Sequence, residues 1–333
     1  MKTIRDFLHK HALLLLAALV VVSVPVGGAL GKYVASETVT DKLNLNVSMK
    51  TYVLRTKVGN IIREANKLPN NPPVISICKH SELPQDARFI MYVHDKNKST
   101  GEIGIYVLDQ NQNVYIAPVD SDAVIYAPED CTGLFEPDNL KDVGGASEYD
   151  LHNLDTSNVT NMSRMFYSCD NLINFTLTMD TSKVTDMSQM FMVCLNLQSI
   201  QLNFDTSNVL NMKSMFSRAD TIKTIDISSF DTSNVTNMAE MFCWNAQMKK
   251  ITVSSGFTTD KVTSSDNMFL GCKQIVGGNY TYFDSNVIDK TYARIDQPGQ
   301  PGYFTAAPGT QSLTNSVNVN VASAYGFDVD HAA

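Results

Sequence analysis

The chain has 333 residues, room for about two domains at roughly 150 residues each. Charged residues make up 18% and the net charge is −8, a balance with no general attraction for phosphate backbones, so no nucleic-acid partner is expected. With 44% hydrophobic residues the composition is not that of a disordered chain, and six cysteines are too few for a disulfide-built scaffold at this length.

Lys2, Arg5 and Lys10 precede a run, Ala12–Leu30, that carries no charge and ends among Gly27, Gly28 and Ala29. A basic flank, an apolar run and small residues in that order predict a signal peptide or N-terminal membrane anchor over residues 1–31. As an anchor, residues 12–30 form an N-terminal apolar helix close to the ~20 residues a membrane tether needs. The basic flank then stays inside, and everything after Lys32 lies outside the cell. The stretch VGGALGKYVASETVTDKLNLNV from Val26 is similar to the signal regions of some exported Gram-positive surface proteins.

Residues 32–124 are not repetitive. Lys57–Lys67 has Val58, Ile61 and Ile62 on one side of a short predicted helix, which Asn70-Asn71-Pro72-Pro73 breaks. Strand-like runs come next at Val74–Cys78, Phe89–His94, Ile103–Leu108 and Val114–Pro118, separated by the turn-like HDKNKSTG and DQNQN. A small α+β or mostly β cap module is expected, covering the open N-terminal end of the segment after residue 124.

In that segment the dipeptide Met-Phe recurs at Met165, Met190, Met215, Met241 and Met268, in steps of 25, 25, 26 and 27. Around it stand DTSNVTNMSRMF, DTSKVTDMSQMF, DTSNVLNMKSMF and DTSNVTNMAEMF, a decayed fifth copy DKVTSSDNMF, and a degenerate zeroth copy at Leu134-Phe135. This is a repeat array. It accounts for the methionines, since 12 of the 15 lie between Met162 and Met268. Val159, Met162, Met165, Phe166 and Cys169 fall at helical spacing, so each phrase is predicted as a short helix with Asp-Thr-Ser at its start. Each is followed by a strand phrase of the form Leu172-x-x-Phe175-x-Leu177. The expected fold is α/β: a leucine-rich-repeat-like solenoid with a parallel strand ladder and short helices. It spans residues 125–305, with about five repeats and a C-terminal cap.

The phrase DTSNVTNM-x-x-MF, followed by a cysteine and a leucine-rich strand, resembles the BspA-like leucine-rich-repeat surface proteins. The likeness runs from about Ile125 to Phe304 and takes in the closing segment DSNVIDKTYARIDQPGQPGYF. It implies a bacterial, surface-displayed protein and a role in adhesion to host matrix proteins, host cells or other bacteria. It brings no catalytic residues.

Cys169, Cys194 and Cys272 share one repeat position with Ala219 and Asn245, which predicts a small buried slot rather than a metal site. Helices stacked about 8–10 Å apart would also hold these thiols too far from one another for a disulfide. No CxxC pair supports zinc, and the column Asp155, Asp180, Asp205 and Asp231 reads as capping and turn residues rather than calcium ligands. The six histidines are scattered, and there is no G-x-S-x-G, P-loop or dinucleotide fingerprint, so neither an enzyme nor a cofactor is expected. The candidate binding face is the outward side of the ladder: Asn174, Thr176 and Thr178; Ser199, Gln201 and Asn203; Thr224, Asp226 and Ser228; Lys250, Thr252 and Ser254. Its expected partner is an extracellular protein or glycan.

Residues 306–333 are expected to form a flexible tail. Leu43–Val47 and Val317–Val321 both alternate like strands and are expected to pair, within one molecule or between neighbours. The sequence thus points to an extracellular, cell-surface protein of adhesion or recognition. The alternative is a structural surface or fibre component in which the solenoid is a spacer.

Overall fold

The structure is a computed structural model that describes residues 25–26, 29–30, 50–58, 72–137 and 145–310. The chain divides into two compact units, Met1–Lys50 and Thr51–Ala333. In the first, strands β1 (Pro25–Val26) and β2 (Ala29–Leu30) pair antiparallel, Pro25 opposite Leu30. The end of the expected apolar helix is therefore strand, as suits Pro25, which lacks the N–H a helix interior needs. Residues 12–24, the strand-like segments 43–47 and 317–321, and the expected helix beyond Val58 lie outside the described residues. No helix among the described residues is long and apolar enough to cross a membrane.

The second unit opens with a five-stranded mixed sheet. Its strands are β3 (Val74–Ile77), β4 (Arg88–Tyr92), β5 (Ile103–Leu108), β6 (Asn113–Pro118) and, after the short β7 (Ile125–Tyr126), β8 (Glu148–Asp150). The order is β4-β5-β6-β3-β8: an antiparallel meander continued by β3, which runs parallel to both β6 and β8. Ile103, Ile105 and Val107 alternate into the main core. Tyr106 packs on the other face with Cys78 and Ala117.

The short β9 (Leu154–Asp155) pairs with β7 and leads into the repeats. Their strand phrases form β10 (Asn174–Thr178), β11 (Ser199–Asn203), β12 (Thr224–Asp226) and β13 (Lys250–Val253), and the closing segment adds β14 (Phe304–Ala306). The five strands are parallel and in register, with Phe175, Ile200, Ile225, Ile251 and Phe304 in one row. The buried–exposed alternation of β10 shows why: Phe175 and Leu177 enter the core while Asn174, Thr176 and Thr178 stay outside. A slip of one residue would reverse every side chain.

The DTSNVTNM-x-x-MF phrases are not the short helices the spacing predicts. They are turns stacked copy on copy. The amides of Met162, Arg164, Phe166 and Ser168 donate to the carbonyls of Asp186, Ser188, Met190 and Met192 in the next copy, at 2.8–3.0 Å. A helix would send these bonds four residues back along its own chain. Arg164 and Ser168 are also left-handed, both with φ of 57°, and such residues recur at the same places in later copies. Turns closing on Met162, Arg164 and Phe166 repeat the apolar positions every three or four residues, which mimics helical periodicity. Helix among the described residues is slight and includes two three-residue 3-10 segments, His80–Glu82 and Lys290–Tyr292.

The aspartate column serves these turns. Asp155, Asp180, Asp205 and Asp231 each accept the amide two residues on, at 2.8–3.0 Å. The threonine beside each aspartate is buried and bonds the next copy's carbonyl, as from Thr181 Oγ1 to Asp205 at 2.8 Å. All nine methionines at the two repeat positions are fully buried. Between them Phe135, Phe166, Phe191, Phe216, Phe242 and Phe269 stack ring on ring, with centroids 5.3–5.9 Å apart. Phe135 belongs to the zeroth copy, whose Asp130 pairs in parallel with Asn161. Tyr303 ends the stack edge-on to Phe269 at 5.0 Å. One continuous core runs from Tyr52 to Phe304.

Candidate functional site

Parallel in-register pairing brings the outward residues of successive copies side by side. Asn174, Ser199, Thr224 and Lys250 form one row, and Thr176, Gln201, Asp226 and Thr252 the next. These eight side chains line a hollow of 290 Å³ whose floor is the strand backbone at Phe175, Ile200 and Ile225. Thr305 of β14 extends the second row beside Thr252. It was missed from sequence because the closing segment does not follow the strand phrase.

Four predicted residues lie elsewhere. Thr178 and Asn203 are exposed at the ends of β10 and β11, outside the hollow. Ser228 and Ser254 line a second depression of 680 Å³ with Ser255 and the Ala307–Thr310 turn. Within the first hollow, Ser199 Oγ donates to Asn174 Oδ1 at 2.7 Å, and Asp226 Oδ1 accepts the Ser228 amide at 3.0 Å. The hollow holds one acid and one base, Asp226 and Lys250, and otherwise hydroxyls and amides. Such a surface offers hydrogen-bonding groups rather than net charge.

The cysteine column is a set of donors. Cys194 Sγ donates to the Phe166 carbonyl at 3.2 Å, Cys272 to Phe242 at 2.9 Å and Cys169 to Phe135 at 3.6 Å. Asn245 Nδ2 makes the same bond to Phe216 at 2.8 Å. The shared property is therefore a short donor, with Ala219 the exception. The spacing argument from stacked helices does not hold, because the copies stack as turns with ring centroids under 6 Å apart. The six thiols are nevertheless free. Burial pushes Cys169 and Cys272 up to about 12 and Cys194 well above its ordinary value.

Two further polar clusters were not legible in the sequence. His152 lies between two carboxylates, with Nδ1 2.8 Å from Asp150 and Nε2 2.9 Å from Glu82. Those hydrogen bonds raise its pKa above 6.5 and commit both ring nitrogens. Asp296 is buried in the closing segment. Its Oδ2 accepts the amides of Asn279 and Thr281 at 2.7 and 2.9 Å, and its Oδ1 the Thr281 hydroxyl at 2.6 Å. Burial alone would raise Asp296, but these bonds outweigh it and hold its pKa below the usual value. Both clusters tie chain segments together. Among the described residues no group of three or more His, Cys, Asp or Glu side chains is placed to hold a metal ion.

Over its repeat array the chain is similar to a family described as "Mycoplasma protein of unknown function, DUF285", at residues 138–224 and 176–283. The matched stretches contain all four well-kept phrases and the decayed fifth, so the likeness rests on the repeat. Comparison with curated proteins finds no match. Comparison with solved structures finds none either.

Proposed function

We propose that the chain is an exported bacterial surface protein of the BspA-like kind. In this reading the stacked copies form a short leucine-rich-repeat-like solenoid. Its outward strand face recognises a protein or glycan of a host or neighbouring cell, and its role is adhesion. The observation that carries the reading is the hollow in which Asn174, Thr176, Gln201, Thr224, Asp226 and Lys250 converge from four parallel strands. The core does not require these residue types on that side, and adjacent strands repeat them at about 4.8 Å, a spacing suited to an extended ligand. Similarity to a Mycoplasma family over the repeats supports a bacterial surface setting. The reading assigns no reaction, cofactor or nucleic acid. Contacts of this kind are weak singly and gain strength from display in many copies. Residues 12–30 would serve as the tether.

A second reading is favoured by one observation. The hollow lacks the Trp, Tyr and Arg anchors of tight interfaces. On that basis the stack is a spacer in a surface or fibre component, with self-association through the segments 43–47 and 317–321. Screening the purified protein against matrix proteins and glycans, with light scattering in parallel, separates the two. Saturable binding by a monomer supports recognition. Ordered self-assembly with no ligand in the screen supports the spacer.

A further inference from the structure

The mixed sheet carries a recess unrelated to the ladder face. Arg55, Tyr92, His94, Asp95, Lys96 and Asn97 line a hollow of 380 Å³. Backbone pairing assembles it from two distant segments: Leu54 bridges His94, Arg55 donates its amide to Val93 at 2.9 Å, and Asp95 donates to Val53 at 2.8 Å.

Three features set this recess apart. Tyr92 is 47% exposed and its ring lies 5.9 Å from His94, so two aromatic rings wall the recess, while the half-exposed Phe89, 5.0 Å from Tyr92, adjoins it from outside the lining. The side chains of Arg55 and Lys96 have no hydrogen-bond or ion-pair partner among the described residues, although the chain is acidic overall at −8. The one acid of the recess, Asp95, is engaged at Oδ1 by the Asn97 amide at 2.9 Å. Finally, His94 Nδ1 is buried without a partner. Such atoms are rare in folded proteins.

We propose that this recess binds a saccharide bearing a carboxylate. A sugar ring lays its C–H face on the exposed ring of Tyr92, as amphipathic rings do on aromatic surfaces. Its carboxylate takes the planar fork of Arg55, a geometry matched to two oxygens, with Lys96 as a second charge. The Asn97 side chain meets the hydroxyls. A bare anion would use the cations and leave the aromatic wall idle, while a neutral sugar would do the reverse. A volume of 380 Å³ suits one or two rings and not a protein surface.

Calorimetric titration of the whole protein tests this with three probes: a glucuronate-bearing hyaluronan tetrasaccharide, lactose and inorganic phosphate. The tetrasaccharide should bind at least tenfold tighter than either of the others. Arg55→Gln and Lys96→Gln should each weaken it severalfold or more with unchanged circular dichroism, and Lys213→Gln, an exposed turn position that lines neither hollow, should leave it unaltered. No binding of the tetrasaccharide, equal binding of phosphate or lactose, or indifference to Arg55→Gln would overturn the proposal.

Discussion

Cys194 donates its thiol to the carbonyl oxygen of Phe166, 3.2 Å away in the preceding copy. The bond fixes a core carbonyl that faces no water. Cys194→Ala removes the donor and opens a small cavity, with an expected loss of about 1–3 kcal/mol on urea unfolding. Cys194→Ser keeps a donor and should lose less than Cys194→Ala. Equal stability of all three proteins would remove the donor role from this column.

Thiol chemistry tests the packing of this column and of the three other cysteines. Burial holds Cys131, Cys169 and Cys272 at about 12. Burial, with Glu82 and Asp150 nearby, takes Cys78 to about 12, and burial takes Cys243 to about 11. The reactive thiolate is therefore scarce at pH 8. Ellman's reagent should leave the native protein unlabelled over minutes and label six thiols in urea. Rapid labelling of one native thiol would contradict the packing.

Val193 adopts φ of 64° at a turn position where the fifth copy has Gly271 at 86°. A β-branched residue is strained there by roughly 1–2 kcal/mol, partly offset by the entropy that glycine loses on folding. Val193→Gly should therefore raise stability by about 0.5–1 kcal/mol, read as a higher urea midpoint. Gly271→Ala should lower it, because a Cβ there would sit 2.9 Å from the ring of Trp244. Trp244 is the chain's one tryptophan, so its fluorescence reports that junction directly.

These turns mark where sequence reading stops. The period of the Met-Phe phrase and the alternation around Phe175 and Leu177 are physical consequences of one buried row per copy, so the array, its parallel strands and the outward residues were visible. The helix was misread because turns closing every three residues place Val159, Met162, Met165 and Cys169 as a helix would. The signal against it was faint: glycine at Gly133 and Gly271 marks the two left-handed columns only in the outermost copies, while Arg164, Gln189, Val193 and Trp244 fill them elsewhere. Clusters such as His152 with Glu82, or Arg55 with Tyr92, depend on pairings between distant segments and leave no local pattern.

His152 predicts a pH window. Its hydrogen bonds to Asp150 and Glu82 raise its pKa above 6.5, so its contribution is full below that value and is lost as pH rises through the folded pKa. Glu82 is lowered by the Lys79 amide and by His152. For Asp150 burial pulls upward, but the bonds from His152 and Ser76 prevail and lower it. Their contributions are present above the ordinary carboxylate range of about 4 and vanish as pH falls through the folded values. The link between the 3-10 segment and β8 is therefore firmest between about pH 4.5 and 6.5. Titration of the His152 ring by NMR should give a pKa above 6.5, falling in Glu82→Gln. An unshifted His152 would contradict the arrangement.

On the proposed reading the polar face of β10–β13 is the recognition surface. Its most direct test is immobilised-ligand binding, on the target from the screen, by the native protein and by a Gln201→Lys, Asp226→Lys double variant. Both substitutions are on the outward side and leave the core rows intact. At least a tenfold loss of binding is expected, with unchanged circular dichroism and a urea midpoint lowered only by the lost Asp226–Ser228 bond. Full binding by a folded double variant would contradict it.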